Sequence, residues 1–148
     1  MPYEDGDDKT DEFTNILALI ENVIEANNDC HVIFGGDFNV DFSRDWTHTA
    51  LLSSFCENIG LQPVVRHTSC QIDYTYNFSM SRFQVLDHFI LSGALFDECV
   101  CSASVAHDVD NLSDHDPIFI EFKFNVHNLA FSSRVFTTPS VVGHGVRK

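Results

Sequence analysis

His31-Val32-Ile33-Phe34-Gly35-Gly36-Asp37-Phe38-Asn39-Val40-Asp41 is the stretch on which the reading of the fold turns. Residues 30–34 read as a short buried strand, and Gly35-Gly36 as the point where the backbone turns at its C-terminal end. Loops at such strand ends hold functional groups in α/β architectures. If the extended conformation continues, Asp37 and Asn39 point the same way. A carboxylate, able to bind a metal or orient a water, then meets a carboxamide, able to donate to an anionic oxygen. The plainer alternative is a decorated turn, because Gly, Asp and Asn are the usual turn residues.

Outward from this stretch, Phe13, Ile16, Leu17, Ile20, Val23 and Ile24 recur at helical spacing. Thr10 can cap the start and Asn27-Asn28-Asp29 ends the helix. Leu51, Leu52, Phe55, Cys56 and Ile59 mark a second helix stopped by Gly60. Beyond it the chain reads as β: Pro63-Val64-Val65, Asp73 to Phe78, Val85 to Leu91, Val100 to Ala106 and Pro117 to Phe124. The last of these ends in alternation, with Glu121 and Lys123 facing out. Helix and strand first, then mainly strands, give an α/β (α+β) class, a mixed sandwich. Residues 1–124 form the domain; 125–148 lose periodicity and read as a tail, compatible with disorder.

The chain has 148 residues and 44% hydrophobic content, enough for one domain with a core. Eight Lys and Arg against 22 Asp and Glu give a net charge of −14. That opposes a simple basic-patch mode of nucleic-acid binding and suits either solubility or a site that collects cations. No run approaches the ~18 apolar residues of a membrane span. The N-terminus, Met1-Pro2-Tyr3-Glu4-Asp5, shows no signal peptide. The five cysteines, odd in number and without a C-x-x-C, read as buried free thiols of an intracellular, reducing compartment. The acidic start, Glu4 to Asp11, lacks the loop pattern of a Ca²⁺ site.

Two further motifs carry chemistry. In Ser113-Asp114-His115-Asp116-Pro117-Ile118, Asp114 is a hard oxygen ligand for Mg²⁺ and His115 can act as a base or stabilise charge. The alternative is an Asp/Ser turn closed by Pro117. In Leu86-Asp87-His88-Phe89, Asp87 lies in an apolar run, where a carboxylate costs free energy unless paired. A histidine is its natural partner, so Asp87–His115 is the expected pair. A solvent-facing edge Asp is the alternative. His88 points to the opposite face and reads as structural. His31, His48, His67, His107, His127 and His144 show no ligand-like partners.

The order of these motifs is more specific than any one of them. G-D-x-N after a strand, then Thr75-Tyr76, then L-D-H-F-I-L-S, then S-D-H-x-P-I before a final strand resembles the endonuclease/exonuclease/phosphatase superfamily. The resemblance runs from about residue 1 to 124. It is closest to the endonuclease domain of non-LTR (LINE-type) retrotransposons, through Gly35 to Asp41 and Asn111 to Pro117. It implies that Asp37 positions the attacking water, Asn39 contacts the scissile phosphate and Asp87 partners the catalytic His115. Asp114 would be a metal-site aspartate. The reaction implied is hydrolysis of a phosphodiester dependent on Mg²⁺ (or Mn²⁺), with DNA as partner.

A complete domain of that family is longer than 124 residues. Its N-terminal half carries an Asn and the Glu that is the principal metal ligand. Met1-Pro2-Tyr3 resembles the end of its Y-x-P strand. The expectation is therefore the C-terminal half of a four-layer α/β/β/α sandwich with a mainly antiparallel mixed sheet. Such a half would hold Mg²⁺ weakly, be inactive alone, and self-associate through an exposed sheet face. Arg44, Arg66 and Arg82 are the few cations able to touch a phosphate backbone, which keeps a small phosphoester or lipid headgroup open as substrate. A non-catalytic binding module is the reading from another class.

Overall fold

The computed structural model describes residues 9–78, 82–108 and 110–124. The tail expected over 125–148, the acidic start through Asp8, and His127 and His144 lie outside the described residues.

Helix α1 (Thr10–Glu25) and helix α2 (Thr47–Asn58) each bury one stripe: Phe13 and Leu17 from α1, His48, Thr49, Leu52 and Cys56 from α2. The rings of Phe13 and His48 stack at 4.3 Å between the two helices. Thr10 does not cap α1. It is the first helical residue, and Lys9 occupies the cap position with no side-chain cap bond. Gly60, at φ 71°, does follow α2, where a left-handed residue ends the helix.

Strand β1 is Ile33–Asp37, not 30–34, and most of it is exposed rather than buried. The two glycines do not turn the chain. Gly35 and Gly36 sit inside the strand, opposite Phe89 and His88 of strand β6 (Asp87–Ser92). A Cβ at Gly35 would meet the Phe89 ring at 2.8 Å, and Gly36 has φ 153°. Close approach and dihedral, not a bend, account for the pair.

Strand β2 (Leu61–Pro63) pairs with the other side of β6, giving an antiparallel sheet in the order β1-β6-β2. Pro63 is tolerated because β2 is an edge. A 3₁₀ turn, Val64–Arg66, replaces the rest of the strand expected there. A second sheet contains β3 (Cys70–Gln71), β7 (Val100–Val105) and β8 (Ile118–Phe122), with β7 central, parallel to β3 and antiparallel to β8. A hairpin is formed by β4 (Tyr76–Phe78) and β5 (Arg82–Gln84). A short helix, α3 (Gly93–Glu98), interrupts a region whose sequence reads as all β.

The alternation along β6 divides the core. Ile90 joins Phe13, Leu17, Phe38, Val40, Leu52, Cys56 and Leu61 under α1 and α2. Leu91 joins Val64, Leu95, Cys99 and Ala103, with Ile120 and Phe122 packed on them from the second sheet. The architecture is thus α/β, layered and mainly antiparallel. The five cysteines form no disulfide, but only Cys56 and Cys99 are buried, against the expectation of five buried thiols. Burial holds the Cys56 thiol up at about 11. Among the described residues no helix is long and apolar enough to cross a membrane.

Candidate active site

Cross-strand register creates the site. At the end of the β1–β6 ladder Asp37 lies opposite Asp87. The Phe38 amide N–H still donates to the Leu86 carbonyl at 2.9 Å, so the chain leaves the sheet only after Asp37. Asp37 Oδ1 accepts the amide N–H of Asn39 at 2.8 Å, and Asn39 Nδ2 donates to Asp37 Oδ2 at 3.3 Å. Asn39 has φ 51°, a left-handed conformation that Asn tolerates. Carboxylate and carboxamide therefore converge through an Asx turn, not through continued extension.

The second half of the site comes from the segment before β8. Asp87 Oδ2 accepts the Nδ1–H of His115 at 2.7 Å. Both side chains are partly shielded, His115 29% and Asp87 17% exposed. Partial burial works against a charged ring. The bond to Asp87 and the fields of Asp87, Asp37 and Asp114 outweigh it and hold His115 above its ordinary value. With Nδ1 committed to Asp87, the ring's chemistry falls to Nε2.

Thr75 and Tyr76 fix this pair. The Thr75 side chain is fully buried, and its hydroxyl oxygen accepts the amide N–H groups of both Leu86 and Asp87, at 2.9 and 3.0 Å. The Tyr76 ring packs on His115 with centroids 4.9 Å apart. The amides of Asn77 and Asp116 donate to the carbonyls of Asp114 and Thr75, at 3.0 and 2.7 Å. His88, as its strand position implies, faces the other way. Its Nε2 hydrogen-bonds the Val40 carbonyl at 2.6 Å, and burial pushes its pKa down.

Asp114 lies beside His115 on an exposed turn. Among the described residues no group of three His, Cys, Asp or Glu side chains converges as a metal site. Asp37, Asp87 and Asp114 around one histidine do not by themselves fit Mg²⁺, which takes six oxygen ligands in a near-octahedral shell. A cavity of about 300 Å³ is lined in part by Asp41, Arg44, Asp73, Phe83 and Gln84, and by none of Asp37, Asn39, Asp87, Asp114 or His115. Arg44 lies 3.8 Å from Asp41, and Arg66 donates to Ser53 Oγ at 3.1 Å while covering the Phe42 ring. The side chain of Arg82 lies outside the described ones.

Sequence reasoning missed one cluster and left it among the partnerless histidines. His107 hydrogen-bonds Asp116 Oδ2 through Nδ1 at 2.6 Å and Asp73 Oδ1 through Nε2 at 2.9 Å. Those two bonds raise its pKa. His67 likewise has a partner, Ser69 Oγ at 2.7 Å. The available signal was Asp116 itself, a second carboxylate adjoining His115.

A family model described as endonuclease-reverse transcriptase matches residues 3–119. No curated protein matches the chain. Among solved structures, a 3′ phosphatase from Neisseria, bound to a product DNA hairpin, is similar at 17% identity and a TM-score of 0.59, over 78% of this chain and 53% of that one. An endonuclease/exonuclease/phosphatase from Bacteroides vulgatus is similar at 19% identity and 0.53, over 72% and 41%. At these identities the likeness is one of fold. The chain spans about half or less of the length of these structures.

Proposed function

The chain belongs to the endonuclease-reverse transcriptase family, and from that premise we propose that Asp37, Asn39, Asp87 and His115 are the hydrolytic part of a phosphodiesterase site acting on nucleic acid, of retroelement origin. The observation that carries this reading is the Asp87–His115 bond of 2.7 Å with Asp37 facing Asp87 across the ladder. A histidine whose pKa is raised by its bond to Asp87 suits stabilisation, through Nε2, of the negative charge that develops on a phosphoryl oxygen. Asp37 orients the attacking water, and the Asn39 carboxamide donates to the phosphate. Asp87 fixes the tautomer and orientation of His115.

A divalent ion, Mg²⁺ or Mn²⁺, is part of the proposal, with Asp114 as its ligand in this chain and binding weak without further donors. The chain alone is then inactive. DNA as the substrate class is supported by the Neisseria neighbour's bound hairpin. The charge of −14 favours, as a second reading, a smaller phosphoester that needs fewer cations. Ile33 and Phe119, each about half exposed on strands β1 and β8, support self-association. The cysteines without disulfides support an intracellular setting.

The test is nicking of supercoiled plasmid, with Mg²⁺ and with EDTA, by this chain alone and by the chain joined to the N-terminal part of a full-length relative. The proposal expects no nicking alone and metal-dependent nicking when joined. Nicking by the chain alone that requires His115 would keep the site assignment and remove the claim of inactivity. A binding module would show no nicking in either form and would keep its partner after His115→Ala.

A further inference from the structure

We propose that His107 is a positioning residue for His115, a bridge between Asp73 and Asp116 that locks the segment carrying Thr75 and Tyr76 to the segment carrying His115. This rests on the reading of His115 as the catalytic group.

The bridge is built from both directions. Asp116 follows His115 directly. One of its carboxylate oxygens accepts from His107 at 2.6 Å, the other from Asn111 Nδ2 at 2.9 Å. The same Asn111 nitrogen donates to the His115 carbonyl at 2.8 Å, so Asn111 ties the two residues together. On the other side, Asp73 lies two residues before Thr75 and accepts from His107 at 2.9 Å. Tyr74, between them, lies nearly parallel to the His107 ring with centroids 4.1 Å apart. Thr75 holds the Asp87 amide, and Tyr76 packs on the His115 ring. The bridge thus links the supports of both members of the Asp87–His115 pair. It also closes the connection between β7 and β8, since His107 opens that connection and Asp116 nears its end. The Ala106 amide N–H donates to the Pro117 carbonyl beside it at 3.0 Å.

The chemistry needs a doubly donating ring. Both ring nitrogens face ionised carboxylates, which only accept, so both carry protons and the ring is an imidazolium. A neutral imidazole donates from one nitrogen only, and a Gln amide carries both its donors on one nitrogen, so neither reproduces donation from opposite sides of a ring to Asp73 and Asp116. Exposure separates the role from bulk stability. Asp73 is 67% exposed, and an exposed ion pair of that kind adds little to folding. What the pair fixes is the relative placement of two loops. Asp116, 15% exposed, is the better shielded arm.

The experiment reads the His115 Nδ1–H proton by NMR in the full 148-residue chain, with the His88 ring proton bonded to Val40 as an internal monitor of the fold. It compares the unsubstituted chain with His107→Gln and His107→Arg. Arginine keeps a permanent planar charge able to donate to two carboxylates. The downfield His115 resonance is expected in the unsubstituted chain, lost in His107→Gln by exchange with water, and restored in His107→Arg. The His88 signal is expected in all three. Retention of the His115 resonance in His107→Gln would overturn the positioning role. So would its loss in both variants while the His88 signal stays. Absence of the resonance from the unsubstituted chain would instead overturn the Asp87–His115 pair, and the proposal with it.

Discussion

A carboxylate that opens a strand of apolar residues must find a partner, and Asp87 finds His115, 28 positions away in the chain. On the proposal that Asp87 orients and His115 reacts, Asp87→Ala is expected to lower turnover of a completed domain less than His115→Ala does, measured as plasmid-nicking rate. The reverse order would remove Asp87 from its role. Thr75 lends itself to a stability test. Its buried hydroxyl serves two amides, so Thr75→Val leaves both without an acceptor and should cost about 1–3 kcal/mol in urea unfolding. His88 gives the pH dependence. Its pKa is lowered on folding, so the unfolded chain binds its proton first as pH falls below the ordinary value of 6.5. The stability associated with neutral His88 is therefore complete above 6.5 and is lost as pH falls through the depressed value. His88→Gln should flatten that acid-side slope of the urea midpoint, and an unchanged slope would place the proton elsewhere. At this scale the sequence was informative where chemistry is local or costly. An Asp in an apolar run asks for a partner, and Asp37 with Asn39 ask for a shared target. His107 was silent, because Asp73 lies 34 residues away and only the fold brings it near.

Elements were legible in proportion to their length. Helices α1 and α2 carry several turns of apolar spacing, and both formed within a few residues of their expected bounds. Strand β3 has two residues and helix α3 six, too few for a period to declare itself. Gly35-Gly36 misled for another reason. Gly-Gly is the common signature of a turn, but here the Phe89 ring occupies the space over Gly35. Sequence distance hides that contact. Gly35→Ala is therefore expected to destabilise by about 1–3 kcal/mol as an overpacking substitution. Phe89→Leu in the same chain should recover part of the loss. A double-mutant cycle in urea measures the coupling, and additive losses would show that the ring is not what excludes the Cβ.

At the scale of the molecule, β6 is the partition between two cores, and the site sits where its N-terminal end meets β1 and the β7–β8 connection. Removing core volume on the helical side, as in Leu52→Ala, should cost about 2–5 kcal/mol and lower the unfolding midpoint. The His115 Nδ1–H resonance should survive under native conditions, since His115 hangs on Thr75 and Tyr76 rather than on α2. The fold class was legible because helices precede strands along the chain, whereas the split into two sheets depended on pairings no local pattern encodes. Family membership extends over residues 3–119, while the match covers only 53% and 41% of the two solved neighbours. The central claim is that the acid–histidine cluster of this chain performs phosphodiester hydrolysis when the rest of the domain is supplied. Its most direct test is the Mg²⁺-dependent nicking rate of the chain joined to the N-terminal part of a relative, with and without His115→Ala. The account predicts nicking that EDTA abolishes and that falls by orders of magnitude in His115→Ala. Near-normal nicking by the His115→Ala form would contradict it.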